Sequence, residues 1–398
     1  MTLSTVRPRA LSRALAYGVR RAAGLPYVPL AQAASRSLVL CGGAELPAIT
    51  PFVLDSHLPR IRGAAQYTAE HTISHFLRRK TFVFRPVVAH WLPEAALLDG
   101  SVYGGGYRHD LRSFEARKRI GLSVSGPAAE IREAALASTS LGSTWWGHWL
   151  EDDLPLQLLA EPFAPPVGHR RARYRHESAF QEALGVVEPS RYGAAVFRKL
   201  LVIDDSGQNP DKTRRYHILR ERASALPKGH DRVFLSRGAS GARRILVNEA
   251  EVRARLEEQG FKTVDVASCT AQQLMAACRG ASVVVSVEGS HLAPLLYLMA
   301  DFATMIILNP PYQVQTTVAT VALFCSISSG MFICEPVADS RTDFVADPEE
   351  LLSFIDAAIE FSTRTQTETK RFLDRTLQLA AAKAPGAWPA ASSGTVAS

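Results

Sequence analysis

Hydrophobic and polar positions are ordered most clearly in the second half of this chain. From residue 231 on, short apolar runs alternate with stretches whose apolar positions recur every three to four residues. The runs Arg232–Ser236, Phe261–Val266, Ala281–Val287, Ala303–Leu308 and Met331–Cys334 predict strands. Between them, Asn248–Gln259, Ala271–Cys278, Ser290–Met299 and Gln315–Cys325 predict helices, with Gly260 as a C-terminal stop. This alternation means βαβ units and a parallel sheet. Pro348–Ala382 predicts one or two further helices, with Leu351, Leu352, Ile355 and Ile359 on one face. From Pro385 the chain is rich in Ala, Pro, Ser and Gly, which predicts a disordered tail.

The first half is patterned more weakly. Ser37–Leu40, Thr81–Arg85 and Leu200–Ile203 predict strands, Gly104–Gly106 a turn, and 161–176 a Pro- and Arg-rich loop. Turn residues cluster at Asp204–Pro210, and a domain boundary is placed there. The start differs from the rest. Arg7, Arg9, Arg13, Arg20, Arg21 and Arg36 precede the first acid, Glu45. On a helical wheel Leu11, Ala14, Leu15, Val19 and Ala22 share a face, with Arg9, Arg13 and Arg20 opposite. Such a basic amphipathic helix suits an anionic bilayer surface, and a solvated arm is the plain alternative. An Arg-rich, acid-free start also resembles a transit peptide, but serine is sparse and no processing site stands out. No uncharged apolar run of 18 residues is present, so no transmembrane helix is expected. The expected divisions are an arm at 1–37, a first domain at 38–207, a second at 208–340, helices at 341–384 and a tail at 385–398.

Composition narrows the class. The 398 residues are 47% hydrophobic and 21% charged, which excludes wholesale disorder, collagen and coiled coil. The net charge is +7, and 37 of the 45 cations are arginine, whose planar fork suits phosphate and carboxylate. The arginines are scattered, without a zinc finger or RNA-binding signature, so nucleic acid is not the expected partner. Cys41, Cys269, Cys278, Cys325 and Cys334 have no metal-binding spacing and read as reduced core thiols.

Ligands of an open parallel sheet bind at the carboxyl ends of its strands. That rule selects Ser236-Arg237, Glu288-Gly289-Ser290, Asn309-Pro310 and Glu335-Pro336. At the second, Gly289 allows close backbone approach and Ser290 is a natural helix cap whose free N–H groups suit a diphosphate. Arg237, Arg243 and Arg244 flank the Gly-rich turn Gly238–Gly241. In the first half, three of the five tryptophans fall in Trp145–Trp149, followed by Glu151, Asp152 and Asp153. On a helix His148 and Asp152 share a face, a pairing that fixes the imidazole tautomer of a general base. Pro155 threatens that geometry by disfavouring helix at Leu154. An aromatic core cluster with a bonded histidine is the alternative.

Taken in order, these segments resemble glycosyltransferase family 61. Gly147-His148-Trp149-Leu150 with Asp152, Asp153, Leu154 and Pro155 is similar to one family segment. Ser236-Arg237, Arg244, Asn248-Glu249, Gly260-Phe261 and Ala271-Gln272-Gln273 are similar to others. Where the family has His-Gly-Ala, this chain has Glu288-Gly289-Ser290. The resemblance covers about 140–300. It implies an α/β fold of two facing Rossmann-like domains, the GT-B arrangement, with C-terminal helices packing back. It further implies an inverting transfer from a nucleotide-sugar donor to a glycan or lipid-linked glycan, without a cofactor or an obligatory metal. His148, Asp152 and Asp153 are the expected catalytic residues. Arg237, Arg244, Asn248, Glu288, Gly289 and Ser290 are the expected donor-binding residues. Capsular or other surface polysaccharide synthesis, in the cytoplasm and peripheral on the inner membrane, is the expected setting. A non-catalytic glycan- or nucleotide-binding protein on the same fold is the alternative that Glu288 motivates.

Overall fold

The computed structural model describes residues 6–64, 67–112, 128–239 and 241–382; the predicted tail lies outside them. The chain divides into two compact units. Unit 1 takes in the described residues of Met1–Ala44, Phe84–Arg215 and Leu379–Ser398; unit 2 those of Glu45–Val83 and Tyr216–Gln378. The exchange at 215/216 falls inside a helix, not in the turn cluster near 207. Glu45–Val83 groups with the second unit although it is read in sequence as part of the first domain.

Unit 1 opens with helix α1 (Val6–Ala22) and strand β1 (Arg36–Cys41). Two short strands, β2 (Ala44–Pro47) and β3 (Thr81–Phe84), pair where the chain leaves and returns. Then follow β4 (Val87–Leu98), β5 (Ser101–Gly104), β6 (Tyr107–Asp110), β7 (Ala128–Leu136), β8 (Pro166–His169), β9 (Ser190–Tyr192) and β10 (Ala194–Asp204). The sheet order is β6-β5-β4-β10-β7-β8-β9, with β1 also on β4. β10, β7, β8 and β9 run parallel, whereas β1, β4, β5 and β6 are antiparallel. The first half is therefore mixed, and only its parallel part has the expected Rossmann-like character. The long β4–β10 pair carries Leu92, Leu97, Ala195 and Leu200 into the core. β4 escapes sequence reading because Pro93 and Glu94 interrupt its apolar run, and proline argues against a central strand.

α1 lies on this sheet through a narrow small-residue stripe. Val6, Ala10 and Ala14 pack with Ala96, Leu98, Tyr103, Ala194 and Val196. Arg9 and Arg13 reach Glu130 and Glu94. Leu15 and Val19 stay 52% and 70% exposed, so the buried face is rotated away from the one the wheel selects. Alanines let the helix backbone approach the sheet more closely than leucines would.

Unit 2 holds β11 (Arg232–Ser236), β12 (Ile245–Leu246), β13 (Lys262–Asp265), β14 (Val283–Val287), β15 (Thr304–Asn309), β16 (Ser328–Ile333), β17 (Glu335–Pro336) and β18 (Asp343–Val345). Its main sheet is wholly parallel, ordered β13-β11-β14-β15-β16. The strands predicted from apolar runs lie here, within a few residues of their expected ends. Ala271–Cys278 forms as predicted, closed by a Thr270/Gln273 capping box. Pro348–Ala381 is one helix whose Leu351, Phe354, Ile355 and Ala358 pack on Phe234, Val285, Ile306 and Phe332. Ser290–Met299 is not one helix. It is a 3₁₀ turn, Ser290–Leu292, then a single α-turn at Leu295–Leu298. Pro294 lies between them and supplies no N–H to continue the first turn. The segment after Glu45 adds Phe52 beside Gly330 and lodges buried His57 between the rings of Phe332 and Phe354. All five cysteines are buried, and none is joined in a disulfide. Among the described residues no helix is long and apolar enough to cross a membrane.

Candidate active site

In unit 1 the segment Trp146–Ala160 stays helical through Pro155 by widening one turn. Trp149–Asp153 is a π turn, in which Leu154 donates to the carbonyl of Trp149, five residues back. The wider turn tolerates the missing proline N–H, and such turns occur often at functional sites. Leu156, Leu159 and Ala160 anchor the segment on Leu40, Val87, Ala135 and Leu201. The other end presents His148.

His148 Nδ1 lies 3.0 Å from Asp152 Oδ2 and 3.4 Å from Glu151 Oε2. A carboxylate only accepts, so Nδ1 carries the proton and Nε2 keeps the lone pair. Among the described residues no group hydrogen-bonds Nε2, and the side chain is 21% exposed. Burial lowers the imidazole pKa, but the Asp152 hydrogen bond and the two carboxylate charges outweigh it and raise it above its ordinary value. Asp152 is held in turn by Lys212 Nζ at 2.9 Å. Burial alone would raise the Asp152 pKa; the Lys212 charge and the His148 bond bring it well below the usual range. Lys212 is 1% exposed and also faces Asp205 at 3.8 Å. Arg215, fully buried, closes the network with a bidentate pair to Asp205 at 2.8 and 3.0 Å and a bond to Asp211 at 2.9 Å.

Asp153 points elsewhere. Its Oδ1 accepts from the backbone N–H and the hydroxyl of Thr139, at 2.8 and 2.7 Å. Burial pushes its carboxyl up to about 7 against those two bonds. Neighbouring carboxylates thus sit in opposite states, Asp152 ionised and Asp153 poised to hold a proton. Gly142 is required beside it, because a Cβ there would fall 2.2 Å from Asp153 Oδ1. Trp146 and Trp149 stack at 5.1 Å, and Trp149 is buried, so this pair builds core; Trp145 alone is largely exposed. Oxygen and nitrogen atoms of His148, Glu151 and Asp152 lie within 4.8 Å of one another and could ligate a cation.

In unit 2 the chain leaves β11 for β13 on one side and returns to β14 on the other, so the connections reverse at the β11–β14 pair. The crevice outside their carboxyl ends is where such sheets take ligands. Arg237, buried, follows β11 directly. Its guanidinium donates to the carbonyls of Arg244, at 2.8 Å, and Ala242, so it shapes the Gly238–Arg244 turn. Gly241 has φ +74°, open to glycine, and lies against this guanidinium. Arg244 Nη1 sits 2.5 Å from Glu288 Oε2 at the end of β14, an ion pair not aligned as a hydrogen bond. Arg244 Nε reaches Gln313 at 3.2 Å. Burial raises the Glu288 pKa against the pull of Arg244 and Arg237. A Cβ on Gly289 would meet His291 at 2.9 Å and Arg237 Nε at 3.3 Å. The structure therefore brings Arg237, Arg244, Glu288 and Gly289 together. Ser290 is exposed at the 3₁₀ turn. Asn248 is engaged on both amide atoms by the backbone of Ala346.

Residues 146–306 match the family model Glycosyltransferase 61. This stretch of the chain is similar to glycosyltransferase family 61. The match begins at the helical turn before His148 and takes in Lys212, Arg237, Arg244 and Glu288. No curated protein matches the chain. Three polar residues of these sites were invisible to motif reading. Lys212 and Arg215 meet Asp152 and Asp205 only through the fold; the one local signal is the i, i+4 spacing of Asp211 and Arg215. His291, whose Nε2 lies 2.8 Å from Ser286 Oγ behind the crevice, carries no sequence signal. Burial and the two arginines hold its pKa down at about 3.

Proposed function

We propose that this chain transfers a sugar, with inversion, from a nucleotide-sugar donor to a glycan or lipid-linked glycan. The observation that carries the reading is the switch-point crevice of unit 2, where two arginines converge on the ends of β11 and β14. A diphosphate there gains charge-assisted hydrogen bonds from Arg244, with Arg237 adding positive potential behind the turn. In the transfer, the acceptor oxygen attacks the anomeric carbon as the bond from that carbon to the diphosphate oxygen breaks. The electron pair leaves with the diphosphate, and a single displacement inverts the centre. The hydroxyl proton goes to Nε2 of His148, which Asp152 keeps in the correct tautomer. Arginine charge balances the leaving group, so this reading needs no cofactor or metal.

One observation favours a second reading, a binding protein without transfer. Glu288 already occupies Arg244. A donor must displace that carboxylate or find it protonated, and its raised pKa helps the latter. We place the protein at the cytoplasmic face of the inner membrane, in capsular or other surface polysaccharide synthesis. The exposed Leu15 and Val19, flanked by arginines on α1, support a peripheral contact with anionic lipid. Incubating the full chain with a panel of nucleotide sugars and acceptors, and measuring nucleotide release, tests both readings. Release supports transfer. Nucleotide binding without release supports the second reading, and absence of both removes the crevice as a donor site.

A further inference from the structure

Unit 2 contains a recess that neither site uses. It opens at the amino end of β16, among Ser328, Ser329 and the helix Thr317–Phe324. In a parallel sheet that edge is opposite the carboxyl ends of β11 and β14. Phe76, Phe82 and Phe361 wall it, and Thr320, Ser328 and Thr369 add hydroxyls. Among the described residues lining it, Arg79 is the single ionisable one. Its Nε donates to the carbonyl of His75 at 2.9 Å, and its guanidinium lies 4.7 Å from the Phe82 ring centre and 5.3 Å from that of Phe76.

Arg79 is half-buried, and burial lowers its pKa. Among the described residues no carboxylate pairs with it, whereas Arg60, Arg171 and Arg191 each meet one. A partly desolvated cation without a counter-ion is costly, and an external anion removes that cost. The recess holds about 450 Å³, mouth included, but its deep part admits only a few atoms. That size suits a carboxylate or phosphate and leaves any ring carrying it at the rim. Outside the recess, further aromatic rings pack against Phe76. Tyr67, His71 and His75 stack at 4.7 and 4.8 Å, exposed, with the Phe76 edge beside them. Ring faces of this kind hold the apolar side of a sugar.

We propose that this recess binds a sugar bearing one acidic group, the anion on Arg79 and the ring against Phe76 and the Tyr67–His75 ladder. The choice of a sugar as carrier rests on the glycosyltransferase reading; the anion site does not. The test is saturation-transfer NMR and calorimetry on the full chain with glucuronate, glucose 6-phosphate, glucose and inorganic phosphate. Acidic sugars should bind about tenfold or more tighter than glucose or phosphate alone. Arg79→Gln should weaken them by about 10- to 100-fold, the range for a hydrogen bond to a charged group. Tyr67→Ala should weaken the sugars several-fold and leave phosphate unchanged. Nucleotide binding should survive Arg79→Gln, so failure here is separable from failure of the donor crevice. Equal binding of glucose and glucuronate overturns the proposal. So does phosphate binding as tightly as glucose 6-phosphate, or an oligonucleotide displacing every sugar. Should Arg79→Gln not fold, Tyr67→Ala and the glucuronate-to-glucose ratio decide alone.

Discussion

Replacing Lys212 by methionine removes one charge from the interior of unit 1 and keeps most of the side-chain volume. Two carboxylates face that ammonium, Asp152 at 2.9 Å and Asp205 at 3.8 Å. Asp205 keeps the bidentate guanidinium of Arg215 and the amide of Asn209 at 2.8 Å. Among the described residues Asp152 keeps only the His148 hydrogen bond at 3.0 Å. One buried carboxylate therefore loses its cation. Breaking a buried pair from one side costs about 3–5 kcal/mol, and the compensation left to Asp205 puts this case near 3 kcal/mol. For a unit of this size that lowers the melting temperature by about 6–12 °C. Adding Asp152→Asn to Lys212→Met should recover at least about 2 kcal/mol, since a neutral pair leaves no orphan charge. The acid limb moves too. A carboxyl depressed below its ordinary pKa stabilises the fold above about pH 4 and loses that contribution as pH falls through its folded value. Without Lys212 the loss starts at higher pH. Scanning calorimetry from pH 2 to 8 on the wild type, the single and the double variant measures all three. A single variant within about 1 kcal/mol of wild type, or a double no better than the single, refutes the reasoning.

The remaining predictions follow from the two sites. His148→Ala should lose about 10²–10⁴-fold in turnover with donor affinity unchanged. The imidazole must be neutral to act, so the wild-type rate should rise with pH through a midpoint above the ordinary value near 6.5, and Asp152→Asn should lower that midpoint. An unmoved midpoint removes Asp152 as the orienting partner. Asp153→Asn keeps both Thr139 bonds and no longer needs a proton. Wild-type stability should fall as pH rises from about 4 to about 7, and the variant should stay flat by calorimetry; loss of turnover would instead make Asp153 the base. Arg244→Ala should weaken nucleotide binding by about 1–3 kcal/mol, and Glu288→Gln should tighten it by freeing Arg244. Leu15→Glu with Val19→Glu should release the protein from anionic vesicles in flotation; equal flotation makes α1 a purely structural helix.

The second sheet was legible from the sequence because its strands are buried on both faces and read as unbroken apolar runs between capped helices. The His148–Asp152 pair was legible too, since i, i+4 on a helix is a local relation that one widened turn preserved. The ends of β11 and β14 followed from strand placement, and with them Arg237, Arg244, Glu288 and Gly289. Other features depended on distances in space between residues far apart in the chain. No local pattern tells that Lys212, 60 positions away, neutralises Asp152, or that Glu288 closes on Arg244. None tells that Glu45–Val83 folds with the second unit, because Phe52 and His57 find their partners near 330 and 350. Which face of α1 is buried was likewise decided by the sheet it meets: alanines permit close approach, and the larger Leu15 and Val19 are left outside. Periodicity encodes what one segment can bury, and only the packed chain selects what it is buried against.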